Sequence, residues 1–295
     1  MRFDVYADLD HLYMLNFSVD AAPLAKLVPP PLRVLRKRGR GFPSIVLPSI
    51  KRLRPVVTRF PAVDYELCGL RILVEYGSQN TGITKGIYFA RLIMDPAWVR
   101  MIAGLVTPFD FEAGHIDKRR TETAAPAAGG VATAGAAPEL GRSIAASAGP
   151  GPAHRCQITV EQGGKPFLRA DVSVETGFPD KLTPGSVFTD SNEALATYND
   201  ISYGFIPSSS GTEVKVLQIA DPHPNYVAWP LVSLAVDDVW VQALHDAPLF
   251  EGSRIVLEPS FFVGRLPRYW RWLQTERLAE PVRGEARVPG NEPVQ

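Results

Sequence analysis

Apolar residues in this chain recur at every second position, in short runs broken by Gly, Pro or Asp. That spacing constrains the fold more than any other feature of the sequence. A period of two sends alternate side chains to opposite faces of an extended strand, so each run can cover a core on one side only. Such runs lie at about Leu9–Val19, Phe42–Ile50, Glu66–Tyr76, Gly86–Ile93, Phe109–Lys118, Arg155–Glu161, Pro166–Glu175, Thr212–Ala220, Leu231–Leu244 and Arg254–Val263. They do not alternate with helices in the rhythm of βαβ units, which disfavours a Rossmann fold and predicts a mainly β chain with an antiparallel sheet. Three short helices interrupt the strands. Residues 20–28 open at Asp20 and stop against Pro29, Pro30 and Pro31. A second runs from Pro96 to Val106, capped by Asp95, with Trp98, Ile102 and Leu105 on one face. The third, SNEALATYND, opens at Asp190 or Ser191.

With 295 residues, 45% of them hydrophobic, the chain can bury a sizeable core. Lys plus Arg equals Asp plus Glu, 31 against 31, so the overall field steers neither nucleic acid nor a membrane surface. Cys68 and Cys156 can close at most one bridge and form no CxxC knuckle, which points to a reducing, cytoplasmic setting. Aspartates interrupt the opening MRFDVYADLDHLYML before an apolar signal core could form, and no run reaches the length of a membrane span.

Between 121 and 153 the composition turns to Ala, Gly and Pro, side chains too small to offset the entropy of ordering; this predicts a mobile excursion within one domain made of 1–120 and 154–276, with a loose tail at 277–295. GSQNTGIT at 77–84 approaches a phosphate-binding loop but has Ile83 in place of the lysine, and it reads as a hairpin loop. GFIPSSSG at 204–211 reads as a turn. The histidines follow no metal-ligand spacing, so neither metal nor cofactor is expected. From Ala21 to Val63 the chain has no Asp or Glu but many Lys and Arg; RKRGRG reads as a hairpin tip, and the basic 33–59 stretch is an alternative site for a polyanion. GRLPRYWRWLQTER interleaves arginine with Tyr269, Trp270 and Trp272, which suits stacked bases or a membrane interface and equally the closed end of a barrel or an oligomer contact.

The stretch TPFDFEAGH, from Thr107 to His115, sets Phe109 and Phe111 against Asp110 and Glu112. In a half-exposed sheet those carboxylates face water; in a closed barrel they could face the lumen, where loss of solvent raises a carboxylate pKa, and the spacing does not choose between the two. Around it, LYMLNFSVDAAPLAKLVPPPLRV and DYELCGLRILVEYGSQNTGITKGIYFARLIMDPAWVRMIAGLVTPFD resemble the opening and centre of the acetoacetate decarboxylase-like superfamily; EALATYNDISYGFIPSSS and DPHPNYVAWPLVSLAVDDVWV are similar to its YqjF-like branch, whose members largely lack an assigned function.

The resemblance implies a closed antiparallel β-barrel with a few short helices, holding a small-molecule ligand, and a tendency to self-associate. Decarboxylases of the superfamily carry a lysine pair directly after the proline matched by Pro108, one of which forms a Schiff base; Phe109 and Asp110 stand there instead. Neither Lys85 nor Lys118 has a neighbouring lysine to depress its pKa, and Lys118 falls where its strand is expected to run out. Glu66 matches the superfamily's acidic residue, and the arginine of the first strand is replaced near Asp10 or His11. The implied protein binds an apolar or carbonyl metabolite, with Phe109, Phe111, Glu112 and Tyr88 lining the site and no Schiff-base decarboxylation. An alternative is lysine-independent acid–base chemistry by Glu66, Asp110 and His115, which requires two of them to converge on one point.

Overall fold

The computed structural model describes residues 5–55, 62–76, 85–107, 109–122, 154–175, 182–199, 203–208, 213–220, 231–245, 254–263 and 266–277. Of the expected excursion 121–153, Thr121 and Glu122 belong to a strand and the rest lies outside the described residues; of the expected tail 277–295, Arg277 ends a strand and the rest lies outside them, as do the loop 77–84 and Pro108. The elements in chain order are β1 (Val5–Asp20), α1 (Ala21–Ala25), β2 (Arg33–Val34), β3 (Arg40–Gly41), β4 (Pro43–Pro55), β5 (Val63–Glu75), β6 (Lys85–Asp95), α2 (Ala97–Val106), β7 (Glu112–Ala113), β8 (His115–Glu122), β9 (His154–Gln162), β10 (Lys165–Glu175), α3 (Ser191–Asn199), β11 (Tyr203–Pro207), β12 (Glu213–Ala220), β13 (Leu231–Val241), α4 (Gln242–His245), β14 (Val256–Val263) and β15 (Leu266–Arg277).

The expected closed antiparallel β-barrel is not what these strands build. They form one mixed sheet ordered β15-β12-β11-β6-β5-β4-β1-β14-β13-β10-β9-β8, a path that ends at β8. The pairings of β11 and of β7 with β6 are parallel. One flank of β1 is shared by β14 along Leu12–Ser18 and β15 along Val5–Leu9, but the sheet as a whole is not closed into a barrel. Alternation specifies which face of a strand is buried but not its partner or direction, so the antiparallel sheet read from it is mixed, and the closure implied by the resemblance does not form. GFIPSSSG begins with strand β11 rather than a turn, since Gly204 and Phe205 pair with Ile87 and Tyr88.

The main core lies between two parts of the sheet. Tyr13, Leu15 and Phe17 of β1, Ile45 and Leu47 of β4 and Leu70 of β5 pack in one cluster with Ile158 and Val160 of β9 and Leu168 and Val172 of β10. Each buried Leu or Ile contributes about 1.5–3 kcal/mol relative to an exposed one. The opposite face is covered in two places. Phe188 and the α3 residues Ala194 and Tyr198 cover Phe42, Val46 and Leu73, while Val99 and Ala103 of α2 cover Leu9, Ile50 and Met94. Because α2 packs through Val99 and Ala103, four residues apart on one stripe, Trp98 and Ile102 are turned out to solvent, and Met101 with them. The buried stripe is therefore not the one expected from Trp98 and Ile102.

Local signals act where expected at α3 and at the basic turn. Asp190 accepts a hydrogen bond from the Glu193 amide, 2.8 Å, and Glu193 accepts one from the Thr189 amide, 2.7 Å, so both carboxylates satisfy donors at the helix start. Asp20 precedes α1 without capping it; its carboxylate takes Arg40 instead, 2.9 Å. The RKRGRG turn closes between Lys37 and Arg40, with Gly39 at φ 78. Gly114, between β7 and β8, sits where an added Cβ would lie 2.6 Å from the Glu161 carbonyl oxygen; only glycine lets the two strands approach this closely.

Candidate functional site

Three neighbouring strands present polar groups in one row at the end of the core. His11 of β1 is in register with Ser49 of β4, and Ser49 with Glu66 of β5. His11 faces the core because β1 inserts one extra residue there: Leu9 opposes Ile50 and His11 opposes Ser49, which leaves Asp10 as the bulged residue. Lys118 reaches the row from β8. Its strand runs on to Glu122, so Lys118 is in mid-strand rather than at a fraying end. Its side chain is only 7% exposed.

The geometry is tight. Lys118 Nζ donates to Glu66 Oε2 at 2.6 Å, to Ser49 Oγ at 3.1 Å and to the Leu47 carbonyl at 3.1 Å. Ser49 Oγ lies 2.5 Å from the same Glu66 oxygen and 2.7 Å from His11 Nε2. His11 Nδ1 faces Asp10 Oδ2 at 3.1 Å. Burial lowers the basicity of Lys118, opposed by the charge and hydrogen bond of Glu66. His11 is pushed down to about 3, first by burial and then by the charges of Lys118 and Arg120, so it is a neutral imidazole at pH 7. Burial pushes the Cys68 thiol, two residues from Glu66 on the same strand, up to about 12.

A second polar group continues the site. Tyr13 hydroxyl and His154 Nε2 are 2.9 Å apart, and the Arg120 guanidinium lies 5.8 Å from the centre of the Tyr13 ring. Burial raises the Tyr13 hydroxyl pKa, and the nearby Cys156 adds to the effect. Arg120 follows Lys118 by two positions and therefore shares its face of β8, whereas Arg119 points the other way and pairs with Asp117, 2.8 Å.

The residues anticipated from sequence divide between this row and other places. Glu66 is in it. His115 is not: its ring meets Asp95 Oδ2 at 3.0 Å with 72% of its side chain exposed. Asp110 is exposed and lies with Phe109 and Phe111 in a groove of about 490 Å³, lined also by Arg100, Met101 and Thr107. Residues 109–111 are not strand, so Phe and Asp do not alternate across a sheet as expected. Glu112 is held by Arg91, 2.8 Å, and by Gln162. Tyr88 packs partly buried against the main core. Glu66, Asp110 and His115 thus do not converge. Lys37 and Arg40 of the basic stretch meet Glu193 and Asp20, and Lys51 meets Asp64 at 3.6 Å.

Sequence reasoning passed over Asp10, His11, Ser49 and Lys118 as site residues. The available signal was a chemically capable pair two apart in otherwise alternating strands: His11 and Tyr13, Glu66 and Cys68, Lys118 and Arg120, His154 and Cys156. Among the described residues no group of three or more His, Cys, Asp or Glu could hold a metal ion, and no helix is long and apolar enough to cross a membrane.

By comparison with solved structures the chain has the acetoacetate decarboxylase-like fold. The chain is similar to an acetoacetate decarboxylase-like enzyme from Sphingomonas wittichii RW1, with a TM-score of 0.50 at 15% identity over 93% of this chain and 92% of that one. It is similar also to the enduracididine biosynthesis enzyme MppR complexed with pyruvate, with 0.52 at 11% identity over 94% and 91%. For acetoacetate decarboxylase from Legionella pneumophila the values are 0.50 and 11% over 93% and 87%. At such identities the likeness is one of fold. The chain belongs to the DUF2071 family, described as an uncharacterized conserved protein (COG2071), whose profile matches residues 6–173. No curated protein matches it in sequence.

Proposed function

We propose that this protein binds a small oxo acid and activates its carbonyl as a Schiff base on Lys118. The observation that carries the reading is a buried amine of lowered basicity, 2.6 Å from a carboxylate able to take up its proton. An amine must be neutral to attack a carbonyl, and desolvation favours the neutral form. Sequence reasoning sought a neighbouring cation for this task, after Pro108; burial on β8 does the same work without one.

The step balances without a co-reactant. Glu66 accepts a proton from the Lys118 ammonium, and the freed lone pair attacks the carbonyl carbon. The carbinolamine then loses water, aided by the proton returned from Glu66, and leaves an iminium. That iminium accepts the electron pair of an adjacent breaking bond, and hydrolysis later regenerates the amine. Arg120, two residues along the same face, supplies a guanidinium for the substrate carboxylate; among the described residues it has no carboxylate partner. Pyruvate, the ligand of MppR, belongs to the same substrate class. Glu66 keeps 28% of its side chain exposed, which provides an approach from solvent.

The test is borohydride reduction of the full chain with pyruvate, acetoacetate or other short oxo acids, followed by intact mass and peptide mapping. A reduced adduct on Lys118, lost in Lys118→Met and retained in Lys85→Ala, is the expected result. An adduct on Lys85, or thermal stabilisation by an oxo acid with no adduct, overturns the imine step; the latter leaves a binding protein without turnover.

A further inference from the structure

We infer that Asp10, His11 and Ser49 form a proton-locking relay that holds Lys118 as the free amine, so that three positioning residues of β1 and β4 take the place of a neighbouring cation. The inference deepens the proposed function, since it concerns the same amine, but its evidence is a count of protons.

The neutral His11 ring carries one proton. Asp10 Oδ2, 3.1 Å from Nδ1, accepts it, so Nε2 is left as an acceptor facing Ser49 Oγ at 2.7 Å. Ser49 has one O–H and two groups that require it: His11 Nε2, and Glu66 Oε2 at 2.5 Å. Two oxygens at that separation need a proton between them. If Lys118 is an ammonium and Glu66 a carboxylate, the Ser49 proton serves one acceptor and the other contact goes without.

If the proton has passed from Lys118 to Glu66, every link is filled. Glu66 donates to Ser49, Ser49 donates to Nε2, and Nδ1–H donates to Asp10. The two N–H bonds of the amine reach Leu47 O and Glu66 Oε2, and its lone pair remains for an electrophile. The relay therefore favours the neutral pair by one buried hydrogen bond. The titratable groups that act on the amine are Glu66 and Cys68 from β5 and Cys156 from β9; from β1 it meets His11, on which Arg120 of β8 also acts. Asp10 is not among the groups that act on the amine directly; it works through His11 and Ser49, so Asp10→Asn changes the proton count without removing a charge in contact with Lys118.

The experiment measures the pH midpoint of Lys118 acylation by a small amine-reactive anhydride, read by peptide mass spectrometry on the folded full chain. His11→Phe removes the acceptor and releases the Ser49 proton to Glu66. Asp10→Asn does so without a cavity, because the amide donates to Nδ1 and moves the ring proton to Nε2. Both should raise the midpoint by about one unit, which slows labelling at a pH below the midpoint about tenfold. An unchanged midpoint in Asp10→Asn, with the circular dichroism of the parent, overturns the relay whether or not His11→Phe folds. Acylation needs no oxo acid, so the two readings fail separately. A shifted midpoint with no reducible adduct sinks the Schiff base alone, and an adduct with an unshifted midpoint sinks the relay alone.

Discussion

The row around Lys118 and the groove beside α2 are built from the same residue types and have opposite properties. Each has a cation and a carboxylate near aromatic rings: Lys118 and Glu66 near Tyr13, Arg100 and Asp110 near Phe109 and Phe111. In the row, strands on two sides exclude water, the amine loses basicity, and its polar contacts are short. In the groove, Asp110 and Met101 are exposed, so charge there is screened and exchangeable. Residue type is therefore a weak guide to chemistry; what separates the two places is how many strands close over them.

The largest expected difference is in covalent trapping. Lys118→Met should lower adduct formation with a short oxo acid at least about 10⁴-fold, as loss of a nucleophile does elsewhere, while Asp110→Asn leaves it within about twofold. Equal loss in both, by mass spectrometry after borohydride, would join the groove to the site.

Next is acid stability. The folded pKa of His11, about 3, lies below its ordinary value of 6.5. The unfolded chain binds the extra proton between those values, so stability is full above about pH 6.5 and falls as pH drops towards 3. The contribution is on the order of 5 kcal/mol at about 1.36 kcal/mol per unit, and His11→Phe should flatten that part of a urea-denaturation series against pH. No variant of the groove should alter the slope.

Glu66→Gln is the opposite test of the row. The carboxylate raises the basicity of Lys118, so its loss should lower the acylation midpoint by about one unit or more, contrary in sign to Asp10→Asn. The smallest effect belongs to the groove: Asp110→Asn should change unfolding free energy by less than about 0.5 kcal/mol in denaturant titration, as exposed polar substitutions do.

Much of the framework was legible because it is local. Alternation located β1, β4, β5, β6, β9 and β10 to within a few residues, since a half-buried strand must send every second side chain inward. Asp190 marked the start of α3 through its own hydrogen bond to the third residue on, and RKRGRG closed where Gly39 permits a positive φ. β11 was missed because its partner is β6, far away in sequence and parallel, and no short-range signal records such a pairing. Glu66 is singled out by resemblance; His11 stands in the sequence only as a histidine without metal spacing, near the replaced arginine, Lys118 as a lysine near an expected strand end, and nothing marks Ser49.

By itself, then, the sequence determined the β character of the chain and the alternation within its long strands, both consequences of residue spacing, and by resemblance the stretch that belongs with the acetoacetate decarboxylase-like fold. Tertiary structure alone decided that the sheet is mixed and not closed into a barrel, that a bulge at Asp10 turns His11 inward, and that β8 lays Lys118 across the row of His11, Ser49 and Glu66. Strand order and desolvation depend on which distant segments meet, and an amine loses its basicity only when its neighbours have taken the place of water.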